Sequence, residues 1–184
     1  MQQEVIIAGF GGQGVLFAGQ LLSYTALDEG KEVTWIPSYG PEMRGGTANC
    51  TVVISDEEIG SPLVNHPTAV IAMNLPSLEK FEGLVEEGGV IVVNASMVNR
   101  GVERDDIKVV SVPANEIASE IGSERAVNMV MIGALIGNLD LLSLEAVDAA
   151  LESHLPERHK KYLPANKEAL RRGAEYQAEK IAHA

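Results

Sequence analysis

The 184-residue chain has a single cysteine, Cys50. One thiol cannot close an internal disulfide, build a cysteine-based zinc site or hold an iron–sulfur cluster by itself. Basic residues are also scarce. Fourteen Lys and Arg stand against 26 Asp and Glu, for a net charge of -12. That balance argues against nucleic acid as a partner, because binding its phosphates requires a basic patch. The shortage is sharpest in residues 1–99, where Lys31, Arg44 and Lys80 are the only basic residues and Arg44 the only arginine. Half of the basic residues lie between Arg158 and Lys180, a pattern expected for the solvated face of a C-terminal helix. Long apolar runs are missing too. The longest, Met129–Gly137, is bounded by Asn128 and Asn138 and is too short to cross a bilayer. Met1 is followed by Gln2, Gln3 and Glu4 with no cationic segment, so no membrane association and a cytoplasmic location are expected.

What is present is an ordinary globular composition, 46% hydrophobic and 22% charged, at a length suited to one domain. Glu4–Ala8 is a β-branched run typical of a buried strand, and Gly9–Gly14 a glycine-rich turn. Val15, Ala18, Leu22 and Ala26 recur at helical spacing, with Gly30 as a C-cap, and Val33–Ile36 forms a second strand. This strand–loop–helix–strand unit opens a parallel α/β sheet. Further strands are expected at Thr47–Ser55, Ala69–Met73, Val90–Val93 and Lys108–Val112. Helices are expected near Ser77–Glu87, at Asn115–Ile121 and at Ser143–Ser153 with Ser143 as cap, and finally from Ala165 to Ala182. Val127–Leu139 is a helix apolar nearly all round, hence buried, and Gly133 and Gly137 on one face allow another element to approach closely.

Gly9-Phe10-Gly11-Gly12-Gln13-Gly14 fits G-x-G-x-x-G between a strand and a helix. Two readings are open. The glycines let the backbone approach an anion held at the helix N-terminus, or they only close the helix onto the sheet. A nicotinamide cofactor is disfavoured, because no acidic residue ends the second strand, which reads Trp35-Ile36-Pro37-Ser38. No Lys-Ser/Thr follows Gly14, so this is not a P-loop. The next loop, Ser38-Tyr39-Gly40-Pro41-Glu42-Met43-Arg44-Gly45-Gly46, carries a phenol, a carboxylate and a guanidinium beside the first loop. Arg44 can grip a carboxylate or phosphate with Glu42 orienting it, or the two can form an ion pair at a subunit contact. His66, His154, His159 and His183 show no metal-ligand spacing and read as mostly surface residues, and Cys50 reads as packing. Asn74 and Asn94 read as cap or turn residues at strand ends.

Taken together, the two loops, with Ser55-Asp56, Ile59-Gly60-Ser61-Pro62, Asn128-Met129 and Gly133-Ala134, resemble the gamma subunit of the 2-oxoacid:ferredoxin oxidoreductases. The resemblance runs from Val5 to Leu151. The Arg44-Gly45-Gly46-Thr47-Ala48 form is more similar to the 2-oxoglutarate and branched-chain members, since pyruvate members tend to carry Arg-Gly-Ala-Pro there. It implies a Rossmann-like three-layer sandwich with a mostly parallel sheet, equivalent to the gamma domain of pyruvate:ferredoxin oxidoreductase. That domain would span residues 1–155, with residues 156–184 as a C-terminal helical extension.

The implied activity belongs to a complex. A 2-oxoacid, 2-oxoglutarate by preference, is oxidatively decarboxylated on thiamine diphosphate, coenzyme A takes the acyl group, and electrons pass through [4Fe-4S] clusters to ferredoxin. The resemblance places thiamine diphosphate between alpha and beta subunits and the clusters in beta and delta, with none of these held here. This chain would contribute assembly and coenzyme A contacts, carried onto Gly9, Gly11, Gly12, Gln13, Gly14, Ser38, Tyr39, Gly40, Pro41, Glu42, Arg44, Gly45, Gly46 and Asn128, with no catalytic residue and no metal. The residues agree as far as they reach: no Gly-Asp-Gly thiamine motif occurs, and a chain of charge -12 is a poor dock for an acidic ferredoxin. The competing reading is a stand-alone Rossmann-type nucleotide-binding protein.

Overall fold

A computed structural model describes residues 1–39 and 46–178. Six strands form one sheet: β1 (Gln2–Phe10), β2 (Glu32–Tyr39), β3 (Thr47–Ser55), β4 (Ala69–Ala72), β5 (Val90–Asn94) and β6 (Lys108–Val112). Their order is β2-β3-β1-β4-β5-β6. β1, β4, β5 and β6 are parallel neighbours, whereas β3 runs antiparallel to both β1 and β2. The sheet is therefore mixed and mostly parallel, as expected. The second strand, however, is not the neighbour of the first.

That difference has a physical basis in the two sequences. β3 (Thr-Ala-Asn-Cys-Thr-Val-Val-Ile-Ser) is β-branched and well buried, so it suits an interior position with partners on both sides. β2 exposes Glu32, Ile36, Pro37 and Ser38. Pro37 has no N–H to give a ladder, and such a residue is accommodated at a sheet edge.

Helices cover both faces. On one lie α1 (Val15–Asp28), α3 (Ala114–Ile121), α4 (Val127–Ile136), α5 (Leu144–His154) and α6 (Leu163–Ala174). They pack on the side chains that Val5, Ile7, Val52, Ile71 and Val92 send to that face. α2 (Leu75–Phe81) covers the other, over Ile6, Ala8, Val70, Ile91 and Val93. Alternate residues of β1 thus serve two separate cores, as the two-residue strand period requires.

Capping explains several boundaries. The Asn74 side chain accepts from Ser77 N–H and starts α2, and Ser143 does the same for α5 through Ala146 N–H. α6 begins earlier than expected, with Pro164 inside its first turn, where a missing N–H leaves no bond unmade. It also ends at Ala174, well short of residue 182. There the Asn138 amide takes over the chain: its Nδ2 donates to Tyr176 O at 2.7 Å and its Oδ1 accepts from Ala178 N–H at 2.7 Å. Residues 179–184 lie outside the described residues.

α4 is buried along nearly its whole length, and its approach to α6 is set by glycine. A Cβ on Gly133 would stand 2.0 Å from Leu170 O, and one on Gly173 would stand 2.0 Å from Val130 O. The two backbones therefore touch.

On the opposite face, the carboxylate of Glu82 pins the segment after β5. Buried at 8% exposure, it accepts from both terminal nitrogens of Arg100 and from Glu103 N–H. The Arg100 hydrogen bond, working against the desolvation of burial, holds the Glu82 carboxyl below its ordinary value. A carboxyl depressed in the folded state stabilises the fold above its unfolded pKa and loses that contribution as pH falls through the folded value. Glu82→Gln should therefore cost about 1.5–3 kcal/mol at neutral pH and almost nothing in acid. The check is urea unfolding of both proteins across that range. A pH-independent difference would show that charge is irrelevant at this position.

Candidate functional site

The carboxyl ends of the parallel strands converge on one rim. β1 runs into the glycine loop, β4 into Asn74 and β5 into Asn94, and β6 runs into Pro113 and α3. The β2–β3 connection leaves from the same rim, because Phe10 pairs with Thr47 and Ala48 with Tyr39. Gly11 N–H donates to Gly46 O at 2.9 Å, tying the glycine loop to the start of β3.

The loop turns through left-handed backbone at Gly12 (φ 95°) and Gly14 (φ 75°), a region L side chains rarely enter. Gly14 caps α1 without any side-chain hydrogen bond, so the first amides of α1 are left without a side-chain acceptor. Gln13 folds inward: its Oε1 accepts from Phe10 N–H at 2.7 Å and from Asn74 Nδ2 at 3.2 Å. Gly9 makes room for this, since a Cβ there would meet Gln13 Oε1 at 2.6 Å and Met73 Cβ at 2.9 Å. Asn128, buried at the start of α4, donates from Nδ2 to Gly14 O at 3.2 Å. A residue 114 positions away thus braces the loop.

In front of the loop opens a cleft of about 760 Å³. Gly12, Gln13, Gly14 and Asn128 line it, with Phe17 and Gln20 continuing the α1 wall. The opposing lining comes from the C-terminal half: Arg125, Arg158, His159, Tyr162 and Asn166. This volume falls within the range of sites for cofactor-sized molecules, roughly 300–1,000 Å³.

The chain matches, over residues 4–176, the family model of pyruvate ferredoxin/flavodoxin oxidoreductase. It belongs to that family. It is 46% identical over 133 residues to the ketoisovalerate oxidoreductase subunit VorA of Methanothermobacter marburgensis, an alignment covering 72% of this chain and 28% of that one. It therefore spans less than a third of that relative's length. It is 39% identical over 163 residues to the 2-oxoglutarate synthase subunit KorC of the same organism, covering 85% of this chain and 88% of that one. The keto/oxoacid ferredoxin oxidoreductase gamma subunit of Geobacter sulfurreducens shares 28% identity and superposes with a TM-score of 0.80, covering 94% of this chain and 96% of that one. Within the family, the chain is of the gamma-subunit kind. A 2-oxoglutarate:ferredoxin oxidoreductase from Magnetococcus marinus, solved with 2-oxoglutarate, coenzyme A and succinyl-CoA bound, has the same fold over 94% of this chain and 30% of that one, with a TM-score of 0.83 at 22% identity.

In this gamma-type chain the structure brings Gly9, Gly11, Gly12, Gln13, Gly14, Asn128 and Gly46 together at one rim. Ser38 is exposed on the edge strand, opposite Asn49, and Tyr39 pairs through its backbone with Ala48. Gly40, Pro41, Glu42, Arg44 and Gly45 lie outside the described residues. Asn74 caps α2, while Asn94 donates to Met73 O and to Asn115 and accepts from Ser96 N–H, so both hold turns of the rim. Cys50 is fully buried under α1, and burial pushes its thiol up to about 11, which removes it as a nucleophile at neutral pH. With β3 between β1 and β2, an acidic residue at the end of β2 would sit one strand too far out to hold a ribose beside the loop.

Sequence reasoning missed the opposing wall. Arg158 is exposed, as expected, but it and His159 belong to a 3-10 segment, Glu157–Tyr162, that borders the cleft rather than to the final helix. Phe17 and Gln20 had a usable signal, since they follow Gln13 at helical spacings of four and seven on the cleft-facing side of α1.

Proposed function

We propose that the chain is the gamma subunit of a hetero-oligomeric complex that oxidatively decarboxylates a 2-oxoacid, with 2-oxoglutarate favoured, to its acyl-CoA while reducing ferredoxin. This chain supplies assembly contacts and part of the coenzyme A site. Alpha and beta subunits, with a delta subunit where the complex has one, supply thiamine diphosphate, the [4Fe-4S] clusters and the route to ferredoxin. The complex works in the cytoplasm.

The observation that carries the coenzyme A reading is the cleft itself. In a chain of charge -12 it joins a glycine loop, an α1 N-terminus without a side-chain cap and two guanidiniums in one recess of cofactor size. Backbone amides at a helix start suit a pyrophosphate. Coenzyme A, when bound, supplies the thiol that accepts the acyl group. The groups of this chain bind and orient it. Arg44 and Glu42, which follow β2 in the sequence, join this proposal as ligand or subunit contacts. The preference for 2-oxoglutarate draws on the KorC relative, which this chain matches nearly end to end.

The test is turnover with 2-oxoglutarate, coenzyme A, thiamine diphosphate and a viologen dye. The purified chain should show none, and activity should emerge when it is co-expressed with alpha and beta subunits from its own source. Turnover by the chain alone, or a complex equally active without it, would refute the proposal.

A further inference from the structure

Six arginines fall within the described residues, and four are neutralised in ion pairs. Arg100 pairs with Glu82, Arg104 with Asp106, Arg171 with Glu168 and Glu175, and Arg172 with Glu120. The remaining two, Arg125 and Arg158, have no carboxylate within 4.0 Å among the described residues, and both line the cleft. In a chain with 26 acidic residues, two guanidiniums left unpaired in one recess are a departure from the pattern of the rest of the surface.

Their settings leave them ready to bind. Arg125 stands in the 3-10 turn Glu124–Ala126 ahead of α4, with its guanidinium carbon 5.9 Å from the centre of the Tyr162 ring. Arg158 uses only its Nε, which donates to His159 Nε2 at 3.0 Å. Its two terminal nitrogens donate to no other described residue. Glu124 is the only acidic residue among the described lining residues, against the two arginines. A planar guanidinium fork matches a phosphate bidentately, and two forks suit a doubly charged terminal phosphate better than a singly charged diester.

Resting on the reading that this cleft takes coenzyme A, we propose that Arg125 and Arg158 are its specificity-determining residues. They form a second anion grip, separate from the glycine loop, for the ligand's ribose phosphate monoester. The loop and the α1 N-terminus take the pyrophosphate. Coenzyme A carries both features, and dephospho-coenzyme A carries only the second, so the two ligands separate the two grips.

The experiment is equilibrium binding of coenzyme A and dephospho-coenzyme A to the full chain and to the assembled complex, for the wild type, Arg125→Gln, Arg158→Gln and the double variant. The wild type should prefer coenzyme A by about tenfold or more, the worth of one lost charge-assisted contact. Each single variant should shrink that preference and the double variant abolish it, with dephospho-coenzyme A losing far less affinity than coenzyme A. If the wild type binds both ligands equally, or keeps its preference in the double variant, the arginine assignment falls and the coenzyme A site stands. If neither the chain nor the complex binds either ligand, the coenzyme A reading falls and takes this inference with it. Equal losses for both ligands would show a general electrostatic effect and overturn the proposed specificity.

Discussion

Gly133→Ala and Gly173→Ala should each destabilise the fold strongly, although alanine is the better helix former. In an exposed helix the exchange stabilises by about 1 kcal/mol. Here the added methyl would stand 2.0 Å from a backbone oxygen of the facing helix, Leu170 O for Gly133 and Val130 O for Gly173. Neither atom ends a flexible side chain, so no rotamer change relieves the overlap. The helices must separate, opening a seam that includes Val130, Ala134, Ala169 and Leu170, all at most 1% exposed. Overpacking a tight core costs about 1–3 kcal/mol, and a contact between two backbones belongs at the upper end or beyond. Urea midpoints would measure it, with Gly101→Ala as control. Gly101 has nothing within 4 Å and no positive φ, so its change should stay within about 0.5 kcal/mol. Midpoints for Gly133→Ala or Gly173→Ala as high as that of the control would mean that the helices are not in backbone contact.

The same seam positions the cleft. α6 follows directly on the 3-10 segment that carries Arg158, His159 and Tyr162, and α4 follows directly on the turn that carries Arg125. Docking α6 on α4 therefore brings the C-terminal wall to the glycine loop. A loosened seam should weaken ligand binding in proportion, although neither Gly133 nor Gly173 lines the cleft.

This dependence also explains which features were legible in the sequence. Strand β3 could be read from local signals alone because its side chains alternate between two environments, and β4 and β5 from short apolar runs bounded by turns. The glycine loop announced itself because φ above zero demands glycine at fixed spacings. Gly133 and Gly137 signalled close approach, but not that the partner would be Gly173 on a helix some forty residues on. The order of strands was out of reach, because placing β3 between β1 and β2 is a tertiary choice set by burial on two sides. The cation wall was hidden for a similar reason. Arg125 and Arg158 lie in 3-10 segments too short to carry a period, and each meets the loop only through helices packed far from it in sequence. The final helix is shorter than its Ala/Glu/Arg/Lys composition predicts, because the Asn138 amide captures the backbone at residues 176–178 instead.

The second large effect is expected at Gly14, where conformation and contact combine. Gly12→Ala places a Cβ in open space at φ 95°, so its penalty is backbone strain alone, about 1–2 kcal/mol. Gly14→Ala carries similar strain at φ 75° and also drives its Cβ to 2.4 Å from Asn128 Nδ2. That nitrogen is the one that donates to Gly14 O, so the brace between the loop and α4 must break. Asn128 is buried, and an amide stripped of its partner there costs about 1–3 kcal/mol more. Gly14→Ala should thus lose roughly twice the stability of Gly12→Ala, and under the proposed function coenzyme A affinity should fall in both. Gly14→Ala with Asn128→Ala separates the contributions, since removing the amide relieves the clash and leaves the strain. The double variant should recover toward Gly12→Ala in unfolding midpoint. A double variant no more stable than Gly14→Ala would place the damage in the left-handed turn alone and assign Asn128 no part in holding the loop.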